Sequence, residues 1–188
     1  MTVVRGVRAA DHVGLSVPNL DQAVRFFVDV LGAEELFRHG PYGVSPERSV
    51  RQFARHPDST VDGIAMLRLG PLNIELLQYS SPDQRTEWPS TSDHGGHHVA
   101  FYVDDLDAAV ADLREAGVEV LGDPMDLAGP EAGPGNRFIF FRAPWGLFLE
   151  LLSYPGGKAY ESQTDRRLFD PRTVEPEPEP EPELRLGS

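Results

Sequence analysis

The sequence predicts an α+β fold built from two copies of one module, each a strand, a helix and three further strands. Three observations carry this. DHVGLSVPNLDQAV at 11–24 realigns with HHVAFYVDDLDAAV at 97–110, placing His12 on His98, Val17 on Val103, Leu20 on Leu106, Asp21 on Asp107 and Val24 on Val110. NIELLQY at 73–79 realigns with FLELLSY at 148–154, placing Glu75 on Glu150. In both copies an alternating stretch precedes a helical one. A repeat fixes an architecture more firmly than any single element does.

The first module opens with a strand. Residues 11–17 alternate His12, Gly14 and Ser16 with Val13, Leu15 and Val17, the period of two that gives a strand one apolar face. A helix follows, with Asn19 as N-cap and Gln22 three residues on, resembling a capping box. Leu20, Ala23, Val24, Phe27 and Leu31 form its apolar stripe, and Gly32 stands where the C-terminal cap belongs. A short strand is expected over 34–38, then a long loop, then strands 63–69 and 72–79 joined at Gly70-Pro71. The second copy repeats the order. A strand at 97–103 leads to a helix capped by Asp105 and ended at Gly117, a short strand at 119–121, and a last hairpin of 137–142 and 147–154. The expected division is 9–80 for the first module, 81–96 for a linker, 97–160 for the second module and 161–188 for a disordered acidic tail. Alternating Glu and Pro can neither propagate a helix nor bury apolar surface.

Bulk properties narrow the function. The chain has 188 residues, no cysteine and a net charge of −13. Nucleic acid and anionic membrane surfaces are therefore not expected partners. No apolar run is long enough for a span, and the N-terminus lacks the apolar core of a signal peptide. A cytoplasmic protein with a small-molecule substrate is the expectation.

The two copies differ in one place. His12 to Glu75 is 63 positions and His98 to Glu150 is 52, so the first copy carries 11 more, within 38–62. A loop of that length either covers a site or is a tolerated insertion.

The chemistry lies in the repeated polar residues. His12 shares a strand face with Gly14 and Ser16, and His98 with Ala100 and Tyr102. Glu75 and Glu150 each interrupt an apolar strand, where an unpaired carboxylate is costly. Two imidazoles and two carboxylates, His12, Glu75, His98 and Glu150, suit a divalent metal ion such as Ni, Co, Zn, Fe or Mn. Tyr79, Phe148 and Tyr154 fall on the same strand faces as the two glutamates and are candidates for substrate binding. Glu47, Asp58 and Asp62 in the long loop are further candidates for a base. His97 points away from His98 and reads as structural; Arg137 and Arg142 read as salt-bridging residues that an anionic substrate group could also meet.

The segments DHVGLSVPNLDQAVRFFVDVLGAEELF, MLRLGPLNIELLQY, GGHHVAFYVDDLDAAVADLREAGVEVL and FRAPWGLFLELLSYP resemble the vicinal oxygen chelate superfamily, which includes glyoxalase I, methylmalonyl-CoA epimerase, extradiol dioxygenases and bleomycin-resistance proteins. The resemblance implies two βαβββ modules whose mixed sheets form a U-shaped cleft around a metal held by His12, Glu75, His98 and Glu150. It implies a metal-dependent lyase or isomerase of the glyoxalase or epimerase type, acting on a small molecule with vicinal oxygens, with Glu75 or Glu150 as the catalytic base. An Fe(II) dioxygenase and a non-catalytic drug-binding protein are the alternatives. A homodimer is expected from the same resemblance, with the metal site formed within one chain or between two.

Overall fold

The computed structural model describes residues 4–175. Two four-stranded mixed sheets form, one per repeat, so the expected fold class is the observed one. In the first module β1 (Val13–Ser16), α1 (Leu20–Arg25), β2 (Glu34–His39), α2 (Pro46–Phe53), β3 (Thr60–Leu69) and β4 (Leu72–Ser80) follow in order. The second module contains β5 (His98–Tyr102), α3 (Leu106–Glu115), β6 (Glu119–Asp126), β7 (Arg137–Arg142) and β8 (Phe148–Ser153). The sheet orders are β1-β4-β3-β2 and β5-β8-β7-β6. In both, the first strand runs parallel to the last, and the other pairings are antiparallel. Strands β1 and β5 are edge strands, each with one neighbour among the described residues.

Local chemistry accounts for the elements. The Asn19 Oδ1 accepts the Gln22 N–H at 2.8 Å, and the Asp105 Oδ1 accepts the Ala108 N–H at 3.0 Å, so both helices start where the sequence placed them. Helix α1 continues as a π-helical turn over Phe26–Val30. The wider turn lets both Phe26 and Phe27 bury, where a strict helical stripe admits only Phe27. Gly32 and Gly117 are left-handed, at φ 74° and 73°, and end the two helical segments.

Period two decides what each strand buries. Ile74 and Leu76 are fully buried on β4, and Leu149 and Leu151 are buried on β8. Glu75 and Glu150 therefore face the other side of their sheets. Helix α1 packs on β3 and β4, and α3 on β6 and β8. The two modules share one apolar core, joined where Phe26 meets the Trp145 ring edge-on at 5.6 Å.

Two expectations need correction. The stretch 38–62 is not a plain loop. Ser45 caps α2, Pro46 occupies its first turn, and Ala54 ends it in a left-handed conformation at φ 50°. The helix escaped notice because its sequence, PERSVRQF, is polar enough to read as solvated chain. Strand β6 runs to Asp126 rather than Leu121, across an irregularity between Leu121 and Met125. Of the expected tail at 161–188, residues 161–175 are described, and they include a short 3₁₀ turn at Pro171–Thr173. The Arg172 guanidinium donates to the carbonyls of Tyr154 and Pro155, each at 3.2 Å, and pairs with Asp170 at 2.7 Å, which ties this segment to the end of β8. The Glu-Pro tract from 176 onward lies outside the described residues. Among the described residues no helix is long and apolar enough to cross a membrane.

Phe141 is fully buried in β7, within the shared core. Phe141→Ala is expected to cost about 3–5 kcal/mol by cavity formation. Denaturant unfolding will measure it, and the loss should lower the midpoint of a single transition rather than split it, because the core spans both modules.

Candidate metal centre

The parallel pairing of first and last strand builds each half of the site. Gly14 lies opposite Glu75, and Ala100 lies opposite Glu150. In each case the histidine stands two residues earlier on the same face, so the same diagonal brings His12 to Glu75 and His98 to Glu150. The His12 Nε2 is 3.3 Å from the Glu75 Oε2, and the His98 Nε2 is 3.0 Å from the Glu150 Oε2. Two donors about 2.1 Å from one cation, at right to tetrahedral angles, stand about 3.0–3.4 Å apart. Both pairs have that spacing, and neutral imidazole with carboxylate is a donor set for a borderline divalent ion.

The pairs differ in their surroundings. The His12 Nδ1 contacts the Asp11 Oδ2 at 2.8 Å. A proton held there leaves Nε2 free to act as a ligand, the arrangement in which a carboxylate orients a metal-binding imidazole. This hydrogen bond, helped by the charge of Glu75, raises the His12 pKa above its ordinary value. Among the described residues His98 has no such carboxylate: its predecessor, His97, contacts the Gly95 carbonyl at 3.0 Å and packs on Trp88, consistent with a structural residue. Instead the Phe140 ring meets the His98 ring edge-on at 5.2 Å. Burial raises the Glu150 pKa, with the charge of His98 partly opposing it.

The four predicted ligands are brought together as two pairs and not as one set. Among the described residues no three His, Asp or Glu side chains gather into a group able to hold a metal. One pair offers two donors, whereas a catalytic site uses about three protein ligands and an open position. Both pairs face outward: the side chains of His12 and His98 are 38% and 42% exposed.

The other candidates fall into place around the pairs. Tyr79 follows Glu75 on the same face of β4, with the Arg55 guanidinium 5.1 Å from its ring centre. Tyr154 lies beyond Glu150, with the Lys158 Nζ at 4.5 Å and the Tyr102 ring at 5.0 Å. Burial raises the pKa of both phenols. Phe148 is opposite His98 in the register and carries Arg142 over its ring at 4.9 Å. The loop acids are engaged elsewhere. Glu47 pairs with Arg51 at 3.0 Å, and Asp62 accepts from Thr60 and Ser80 at 2.9 and 2.6 Å. Asp58 lies beside His56, 3.9 Å from its Nδ1. Arg137 and Arg142 pair with Asp107 and Glu119 at 2.6 and 3.0 Å. Sequence reasoning missed Asp11 and Arg55. Asp11 had a usable signal, since an acid adjacent to a candidate ligand at a strand start can reach its ring; Arg55 had none beyond its place in the insertion. A separate groove of about 960 Å³ runs between the modules beside Phe26, Trp88 and Trp145, and none of the four candidate ligands lines it.

Comparison with known proteins agrees with the fold. Residues 11–141 match the Glyoxalase/Bleomycin resistance protein/Dioxygenase superfamily, and the chain belongs to that superfamily. It is 45% identical over 174 residues to a 2-epi-5-epi-valiolone epimerase of an Actinomyces species, covering 89% of this chain and 91% of that protein. It is 31% identical over 146 residues to the mitochondrial methylmalonyl-CoA epimerase of Mus musculus, covering 75% of this chain and 70% of the relative. A solved glyoxalase family protein from Bacillus cereus superposes with a TM-score of 0.60 at 24% identity, covering 80% of this chain and 98% of that one.

Two outcomes follow from the protonation states. A carboxyl whose folded pKa is raised by burial holds its proton more tightly folded than unfolded, so metal-free protein loses stability as pH rises through that raised pKa. Glu150→Gln is expected to raise the thermal midpoint of metal-free protein at about pH 7, while abolishing any stabilisation by added metal. Asp11→Asn is expected to bring the His12 pKa down toward its ordinary value, read from ring-proton NMR titration of metal-free protein.

Proposed function

We propose that the chain is a divalent-metal-dependent epimerase that inverts a carbon next to the carbonyl of a small oxygen-rich ketone, 2-epi-5-epi-valiolone being the first compound to test. The observation that carries this reading is the pair of equivalent His–Glu contacts at chelating separation, 3.3 and 3.0 Å. The extent of the match to the valiolone epimerase, nearly end to end on both chains, supports the substrate class. We infer further that the working unit is a homodimer in which His12 and Glu75 of one chain meet His98 and Glu150 of the other. Each chain has two half-sites, related by an internal repeat and carried beside edge strands β1 and β5. A two-fold pairing of such chains yields two complete four-donor sites.

A metal bound there supplies a Lewis acid that stabilises the negative charge developing on the carbonyl oxygen when the adjacent C–H bond breaks. The chain's own residues do the rest. Glu75 and Glu150 are the carboxylates that would carry the proton, each released from the metal when it does so: one takes a proton from carbon as the bonding electrons move toward the oxygen, and the other, already protonated, delivers a proton to the opposite face of that carbon to give the epimer. Burial raises the Glu150 pKa and so makes it a stronger base than an ordinary carboxylate. In the neutral ring Asp11 holds the proton on the His12 Nδ1, which leaves Nε2 as the nitrogen directed at the site. The phenyl rings of Phe140 and Phe148 exclude water on the second-module side.

Metal-loaded protein incubated with 2-epi-5-epi-valiolone in D₂O should place deuterium at the inverted carbon and bind about one Ni, Co, Zn, Fe or Mn per chain. Absence of both metal binding on titration and exchange would sink the reading; oxygen uptake in place of exchange would favour the dioxygenase. A mixing experiment tests the dimer. His12→Ala and His98→Ala chains are each expected to be inactive alone. Unfolded together and refolded, they should regain about a quarter of wild-type activity, because half the dimers are mixed and each mixed dimer has one intact site. No recovery would place each site within a single chain.

A further inference from the structure

The insertion that distinguishes the first repeat from the second delivers one cation onto the candidate site. Helix α2 ends at Ala54, whose left-handed backbone (φ 50°) is uncommon for a residue with a Cβ. The turn is closed by the Arg55 N–H donating to the Ser49 carbonyl at 2.9 Å. It drops the Arg55 side chain between two rings, 4.6 Å from the Phe53 centre and 5.1 Å from that of Tyr79. Tyr79 shares its strand face with Glu75 and Leu77. Val61 pairs with Tyr79 on one side and with Tyr42 on the other, so the insertion adds a second phenol beside this wall.

Among the described residues several arginines, Arg55 among them, pair with no carboxylate, while others do. Acids outnumber Lys and Arg by 30 to 17. Arg38, Arg51, Arg114, Arg137, Arg142 and Arg172 all find carboxylates. Among the described residues Arg55 ion-pairs with no carboxylate, and its buried Nε has no hydrogen-bond partner. The repeat supplies a contrast. Tyr154, the equivalent of Tyr79, also carries cations, Lys158 and Arg172, but these are neutralised by Glu131 and Asp170. A half-buried guanidinium set against two rings, hydrogen-bonded to the Tyr79 hydroxyl and without an acid, has donors left to receive an acceptor from outside the chain.

We propose that Arg55 is a substrate-positioning residue: its guanidinium takes an oxygen of the substrate remote from the oxygens at the His–Glu ligands, and the insertion 38–62 is thereby a specificity element. This deepens the epimerase reading and rests on it. The acceptor is a neutral hydroxyl or an oxyanion, and the two are separated by competition below.

The experiment uses full-length metal-loaded protein as wild type, Arg55→Gln, Arg55→Lys and Phe53→Leu. The probe is 2-epi-5-epi-valiolone, with binding by calorimetry, turnover by NMR, metal content and thermal midpoint measured on each. Arg55→Gln should weaken binding and raise KM by about 10- to 100-fold, the range for a hydrogen bond to a charged group, with metal content unchanged. Arg55→Lys should recover only part of this, since one ammonium does not replace a planar fork. Phe53→Leu should lower the thermal midpoint as much as Arg55→Gln does while changing KM less. Inorganic phosphate that competes with the probe in wild type but not in Arg55→Gln identifies an oxyanion acceptor; no competition identifies a hydroxyl. Binding by Arg55→Gln within twofold of wild type overturns the proposal, as does an equal loss in Phe53→Leu, which would make Arg55 a structural staple. Wild-type binding without turnover overturns the epimerase reading alone and leaves Arg55 judged by the binding ratio. No binding by wild type overturns the proposal together with its substrate class.

Discussion

A carboxylate inside an apolar strand has to be answered by something, and that constraint organises the molecule. Glu75 lies between the fully buried Ile74 and Leu76, and Glu150 between the buried Leu149 and Leu151. Alternation turns each carboxylate to the face opposite the core, and the parallel first strand presents a histidine there. The helices cover the aliphatic faces, so the polar pairs remain on the open ones. Core and site are thus two sides of the same strands, and neither can shift register by one residue without exchanging its side chains with the other.

This is also why so much was legible in the sequence. The period of two at 73–79 and 148–154 places the glutamates, the realigned 11–24 and 97–110 place the histidines, and the caps Asn19 and Asp105 place both helices. These are short-range signals, and the structure follows them. What the sequence did not show depends on longer range. Helix α2 is polar and held largely by its own caps, so no apolar stripe announced it. Residues 161–175 carry no strong pattern, yet the Arg172 guanidinium ties them to the carbonyls ending β8. Above all, equivalence of four ligands in two repeats says nothing of how the repeats are placed. The shared core sets that placement through contacts between the modules, Phe26 and Phe27 against Trp145, and it leaves the pairs apart.

The second lesson of the repeat is where it fails. The duplicated frame contributes equivalent candidate ligands, but the segments with no counterpart, 38–62 and the chain after 154, bring different cations to the equivalent tyrosines. Tyr154 receives cations already matched by acids, while Tyr79 receives Arg55 with none. The His environments diverge likewise, with Asp11 on one side and Phe140 on the other. Symmetry thus resides in the donors and asymmetry in what surrounds them.

That division matches what an epimerase requires under the proposed reading. Holding two oxygens of one substrate is a symmetric task, met equally well by either His–Glu pair. Fixing which carbon of the substrate lies between the two carboxylates is not, because equivalent half-sites would accept the substrate in either of two orientations. The two proton carriers must therefore be chemically similar, so that the proton can be lost and regained, and differently placed against an oriented substrate. Repeated glutamates meet the first demand. A single unmatched cation on one wall and a phenyl-lined second wall meet the other, since they give the substrate one favoured orientation across a frame that would otherwise accept two.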